Sequence, residues 1–101
     1  MAKYALTKKA VQDLKQIWNY TYDNWSEKQA DKYINQLLKH CTKISKHPQL
    51  GRSYEKIYPV LRGSKINKHI IFYRELDKKE IEVVRILHQR MDLKTKFINK
   101  Q

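Results

Sequence analysis

The sequence predicts an α+β fold: an antiparallel β-sheet with an N-terminal α-helical hairpin packed on one face. Three observations lead there. Two stretches of the first half place apolar residues three and four apart, the period of an amphipathic helix. Two stretches of the second half are rich in β-branched and aromatic residues and flank the polar turn Asp77-Lys78-Lys79-Glu80, as in a β-hairpin. With 101 residues and 41% hydrophobic content, the chain has enough material for one core and too little for two, so residues 1–101 form a single domain.

Each element has its own local signal. Ala2 to Leu6 is a short strand with Tyr4 and Leu6 on one face. Thr7 suits a helix N-cap. After it, Ala10, Val11, Leu14, Ile17, Trp18, Thr21 and Trp25 form one stripe, with Lys8, Asp13 and Lys15 assigned to the solvated face. Ser26, with Gln29 three residues on, has the pattern of a capping box. The second stripe is Ala30, Tyr33, Ile34, Leu37, Leu38, Cys41 and Ile44, and Pro48 and Gly51 end it. The short link between the two helices implies an antiparallel hairpin. Leu61 to Ile66, His69 to Leu76 and Ile81 to Leu87 are strands, giving the order β-α-α-β-β-β. Residues 91–101 are expected to form a short C-terminal helix or tail.

Composition narrows the function classes. No apolar run approaches the roughly 18 residues of a membrane span, and no apolar leader segment is evident at Met1, so a cytoplasmic protein is expected. Cys41 is the single cysteine, which excludes an internal disulfide and a four-cysteine zinc site. It lies in an apolar stripe, as a core residue would. No cofactor or metal is expected. The net charge of +12 favours a polyanionic or acidic partner. Residues 1–50 hold nine lysines and no arginine, whereas all five arginines fall in residues 51–101. Because arginine offers a planar fork for bidentate contacts, specific recognition is expected in the second half.

The segment Arg85-Ile86-Leu87-His88-Gln89-Arg90-Met91-Asp92 concentrates strong donors where the last strand ends. Strict alternation puts Ile81, Val83, Arg85 and Leu87 on one face and Val84, Ile86 and His88 on the other, which separates Arg85 from His88 unless a bulge intervenes. A four-residue turn sets Phe72 opposite Arg85 and His69 opposite His88. Both strand faces are apolar, yet a helical hairpin covers only one. The other is expected to be an exposed apolar patch for a partner, or to be covered by the tail through Phe97 and Ile98.

Tyr4-Ala5-Leu6-Thr7, Ala10, Asp13-Leu14, Gln29-Ala30, Tyr33, Pro48, Leu50-Gly51-Arg52, Leu61-Arg62, His69 to Arg74, Arg85-Ile86-Leu87-His88 and Arg90-Met91-Asp92 follow one another in this chain with a characteristic order and spacing. In these residues it resembles the ParE branch of the RelE/ParE toxin superfamily of type II toxin–antitoxin systems. The resemblance implies a small basic toxin of a plasmid-stabilisation type of module. It would be neutralised by a ParD-like antitoxin, through which it would associate indirectly with DNA. It also implies inhibition of DNA gyrase by binding, with no catalytic residues of its own. Arg52, Arg62, Arg74, Arg85, His88 and Arg90 are the candidates for the target- and partner-binding surface. The alternative within the superfamily is a RelE-like ribosome-dependent mRNA endoribonuclease. RNA cleavage needs a general base, a general acid and cations, and His88, Arg85, Arg62 and Arg74 would be the residues to supply them. Opposing charge pairs are also available, Asp92 with Arg90 and Glu75 or Glu82 with a cross-strand arginine.

Overall fold

The structure is a computed structural model and describes residues 3–77 and 80–91. Strand β1 (Lys3–Leu6) leads into helices α1 (Lys8–Asn24) and α2 (Glu27–Lys46); a 3₁₀ turn (Pro48–Leu50) and strands β2 (Arg52–Ser53), β3 (Arg62–Ile66), β4 (His69–Asp77) and β5 (Glu80–His88) follow. Both predicted caps form. The Thr7 hydroxyl accepts from the Ala10 N–H at 3.0 Å, and the Ser26 hydroxyl from the Gln29 N–H at 3.0 Å. Each satisfies a donor that the first helical turn would otherwise leave open. Glu27 in the first turn of α2 and Lys43 and Lys46 in its last turn also match the helix dipole.

The strand order is β1-β5-β4-β3-β2. The α+β class is as expected, but the sheet is mixed: β1 runs parallel to β5, Tyr4 opposite Ile81 and Leu6 opposite Val83. A parallel neighbour requires a long crossover, and here nearly the whole chain supplies it. The helical hairpin covers one face. Its core joins Ala10, Leu37, Cys41 and Ile44 to Ile71, Tyr73, Ile81, Val83 and Ile86, with Tyr4, Leu6, Leu14 and Ile17 packed around them. Cys41 is fully buried, and burial pushes its thiol up to about 12, so it is an inert core residue. Three apolar members of the expected α1 stripe, Val11, Trp18 and Trp25, lie outside this core, Val11 being exposed. Trp25 caps the helix C-terminus and is 75% exposed, and Trp18 turns outward to stack on Tyr22 and donate to Asp31 at 2.9 Å.

The second sheet face is not an exposed patch. Leu61, Ile70, Phe72 and Leu87 are buried there beneath Tyr54, Ile57 and Tyr58, which belong to the segment between β2 and β3. That segment carries the turn signals Tyr58-Pro59 and a left-handed Val60 (φ 56°), and it folds back over the sheet. The suggested cover, Phe97 and Ile98, lies outside the described residues.

The β4–β5 register holds His69 opposite His88 and Phe72 opposite Arg85, as expected, and then slips. Tyr73 faces Val83, leaving Val84 as an extra residue. A second irregularity at Leu76 restores the frame, so that Asp77 and Glu80 pair inside the strands instead of forming the turn. The bulge at Val84 overturns strict alternation: Ile81, Val83 and Ile86 face the helices, while Val84 and Leu87 face the other way.

Candidate functional site

Beyond Val83, β5 has no strand on its β1 side among the described residues, and α1 takes that place. Thr7 extends the pairing by donating its backbone N–H to the Val83 carbonyl at 3.1 Å and its hydroxyl to the Val84 carbonyl at 2.7 Å. One helical turn later, the Asp13 carboxylate accepts the Ile86 N–H at 2.9 Å and grips the Arg85 guanidinium through Nε at 2.8 Å and Nη2 at 2.9 Å. Asp13 is therefore buried, 6% exposed, and not part of a solvated helix face. Its hydrogen bond is the main reason the Arg85 pKa is raised.

Past this clamp, α1, α2 and the ends of β4 and β5 enclose an open groove of about 1060 Å³. Its floor holds the His69–His88 pair, with rings 5.4 Å apart and edge to face. His69 Nδ1 is 2.7 Å from the Tyr33 hydroxyl, and His88 Nδ1 accepts the Arg90 N–H at 3.1 Å. Burial, with a smaller contribution from His88, pushes His69 down to about 4, so its ring is neutral near pH 7. Burial also raises the Tyr33 phenol. Lys68 and Arg90 add positive charge to the lining, and the one carboxylate in it, Asp13, is already neutralised by Arg85. Tyr20 and Trp25 form an exposed aromatic wall at 67% and 75% exposure.

The groove thus gathers three of the six sequence candidates, Arg85, His88 and Arg90. The bulge brings Arg85 and His88 to the same groove, against the expectation from strict alternation. The other three sit elsewhere. Arg62 donates to the Gly51 carbonyl at 2.8 Å, Arg74 pairs with Glu82 at 2.8 Å as one of the anticipated cross-strand pairs, and Arg52 lies over the Tyr54 ring at 5.8 Å. The set His88, Arg85, Arg62 and Arg74 is therefore not one constellation. Asp92, the anticipated partner of Arg90, lies outside the described residues. Sequence reasoning missed Asp13, Tyr33, Lys68 and the aromatic wall. The His69–His88 register was the one signal that pointed to the pair. Among the described residues, no group of three or more His, Cys, Asp or Glu side chains is arranged to hold a metal, and no helix is long and apolar enough to cross a membrane.

Residues 4–93 match the family model described as the ParE toxin of the type II toxin–antitoxin system parDE. The chain belongs to the ParE toxin family. Among the ParE relatives, Toxin ParE1 of Mycobacterium tuberculosis (strain H37Rv) is 37% identical over 92 residues, covering 91% of this chain and 94% of that protein. Toxin ParE1 of Caulobacter vibrioides is 33% identical with the same coverage, and Toxin ParE of Escherichia coli is 30% identical over 100 residues, 99% of this chain and 97% of that one. The fold matches a solved chain of the chromosomal ParDE system of P. aeruginosa with a TM-score of 0.74, over 87% of this chain and 96% of that chain at 20% identity. As a ParE toxin of a type II module, the protein has an antitoxin as its implied partner.

Proposed function

We propose that this ParE toxin acts by binding, in the cytoplasm, with DNA gyrase as its target and a ParD-like antitoxin as its neutraliser, and that it reaches DNA indirectly through that antitoxin. The observation that carries the reading is how the arginines are used. Arg62, Arg74 and Arg85 are each committed to a bond within the chain, to the Gly51 carbonyl, Glu82 and Asp13, so they build a rigid surface instead of a shared reaction centre. What stays available is a basic, aromatic groove, which suits recognition. The test is supercoiling by purified gyrase with the toxin added in stoichiometric excess. Inhibition that the cognate antitoxin reverses supports the proposal; unimpaired supercoiling refutes it.

The ribonuclease alternative draws on one observation, the neighbouring His69 and His88 rings, one of them neutral near pH 7. Proton transfer during RNA cleavage needs such a pair. It predicts message cleavage in a translation extract that is lost in His88→Ala, and intact message excludes it.

A further inference from the structure

The groove's lining has a composition that neither the clamp nor the core requires. Tyr20 and Trp25 are large aromatic side chains left two-thirds or more exposed on one wall. In the same lining, Lys68 and Arg90 supply cations with no acidic partner there among the described residues, because the Asp13 carboxylate is occupied by Arg85 and the Ile86 N–H. The amides of Gln16, Gln29 and Asn67 also line the groove, Asn67 donating to the Gln36 side chain at 3.4 Å. Of the aliphatic members, Ile86 and Leu87 are 2% and 1% exposed and Ile17 is half-buried, so Met91, 41% exposed, is the main unbranched apolar side chain beside the aromatics. The exposed apolar surface of the groove is therefore chiefly aromatic, from Tyr20 and Trp25.

Flat aromatic faces, cations and side-chain amides are the three groups that hold a nucleic-acid strand. Aromatics stack on bases, cations neutralise phosphates and amides meet base edges. The two imidazoles add to this set. Tyr33 engages Nδ1 of His69 and the Arg90 N–H engages Nδ1 of His88, so Nε2 of each ring is the atom left for a ligand among the described residues. At about 1060 Å³ and open to solvent, the groove has room for a segment of a strand. A duplex keeps its base faces stacked inside, so only an unpaired strand can use the aromatic wall.

We propose that the groove between the helical hairpin and the ends of β4 and β5 binds single-stranded nucleic acid directly, with bases stacked on Tyr20 and Trp25 and phosphates on Lys68 and Arg90. This goes beyond the gyrase reading and needs neither gyrase nor antitoxin, so its failure leaves that reading standing.

The experiment is fluorescence anisotropy of the full chain with labelled oligo-dT, oligo-U and a duplex of equal length, across a salt series. Single strands bind at least ten-fold more tightly than the duplex. Tyr20→Ala and Trp25→Ala, whose exposed side chains leave thermal unfolding unchanged, each weaken strand binding about five-fold or more. Lys68→Ala with Arg90→Ala lowers the slope of log K against log salt by about 1.4. The DNA and RNA arms show which sugar is preferred, and either preference supports the proposal. Three results overturn it: no strand binding, equal affinity for strand and duplex with no effect of the aromatic substitutions, or displacement of the strand by an oligo-glutamate peptide at lower concentration than by unlabelled strand.

Discussion

Replacing Asp13 with alanine removes three hydrogen bonds at once. Two of them hold Arg85, at 2.8 and 2.9 Å, and the third caps the Ile86 N–H at 2.9 Å. The side chains are 7% and 14% exposed, so water only partly replaces what is lost. Deleting one partner of a buried ion pair costs about 3–5 kcal/mol, chiefly because the other charge stays behind. Leaving a buried N–H unsatisfied costs about 1–3 kcal/mol. The costs overlap, and the adjoining groove lets Arg85 swing toward solvent, so a net loss of about 3–4 kcal/mol follows. That is a large part of the roughly 5–15 kcal/mol that holds a domain of this size. Urea unfolding followed by far-UV circular dichroism measures it as a lower midpoint at unchanged slope. Asp13→Asn, which keeps an oxygen for the Ile86 N–H, loses less. Asp13→Ala combined with Arg85→Ala loses less than the sum of the two single changes, with a coupling of about 1.5 kcal/mol or more. A loss below about 1 kcal/mol for Asp13→Ala, or additive single changes, would refute the clamp as a buried, cooperative unit.

Other outcomes follow from the same structure. His69 titrates near 4 when folded against an ordinary 6.5. Its contribution is therefore fully present above about pH 6.5, declines as the unfolded chain takes up the proton first, and is gone below about pH 4. The 2.5-unit difference bounds the loss at about 3 kcal/mol, and urea midpoints at pH 7.5 and 4.5 should fall more in the wild type than in His69→Asn. Gly51→Ala drives a methyl into the Tyr73 hydroxyl, which itself donates to the Pro48 carbonyl at 2.6 Å. It should cost about 1–3 kcal/mol, with partial rescue by Tyr73→Phe in a thermal melt. The Arg74–Glu82 pair is 40% and 29% exposed, so Arg74→Ala should cost at most about 1 kcal/mol, and less at high salt. The buried Cys41 thiol should react with a thiol reagent only as fast as the fold opens, and a fast native-state reaction would contradict its burial.

The features legible in the sequence were the local ones. Helix stripes, the Thr7 and Ser26 caps and the pairing of His69 with His88 all follow from spacings of two to four residues or from one turn. The bulge at Val84 carried no glycine to mark it, and it reassigned every side chain from Arg85 to His88. Asp13 was misassigned because helical period alone places a carboxylate at the edge of the apolar stripe in solvent. Its partners lie 72 and 73 residues away, and nothing local encodes them. The cover over the second sheet face was hidden for a related reason. Residues 54–61 have no period, yet Tyr54, Ile57, Tyr58 and Leu61 supply the apolar surface that the sheet needed. Of the site, the arginines drew attention by their charge. Besides Arg85 and Arg90, the groove depends on a tyrosine and a lysine, and on two aromatics whose exposure only the fold reveals.

The position of β5 has a consequence for when this protein becomes itself. Among the described residues it is the last strand in sequence, yet it lies between β1 and β4 and is the one strand that pairs with β1. As synthesis proceeds from the N-terminus, β1 has no neighbour to pair with, and Thr7 and Asp13 have no edge to cap, until residues 80–88 have left the ribosome. The helical hairpin can form early, but the clamp, the groove and the five-stranded sheet are complete only once β5 is in place. Until β5 is in place, the chain lacks both the Asp13–Arg85 clamp and the His69–His88 floor of the groove.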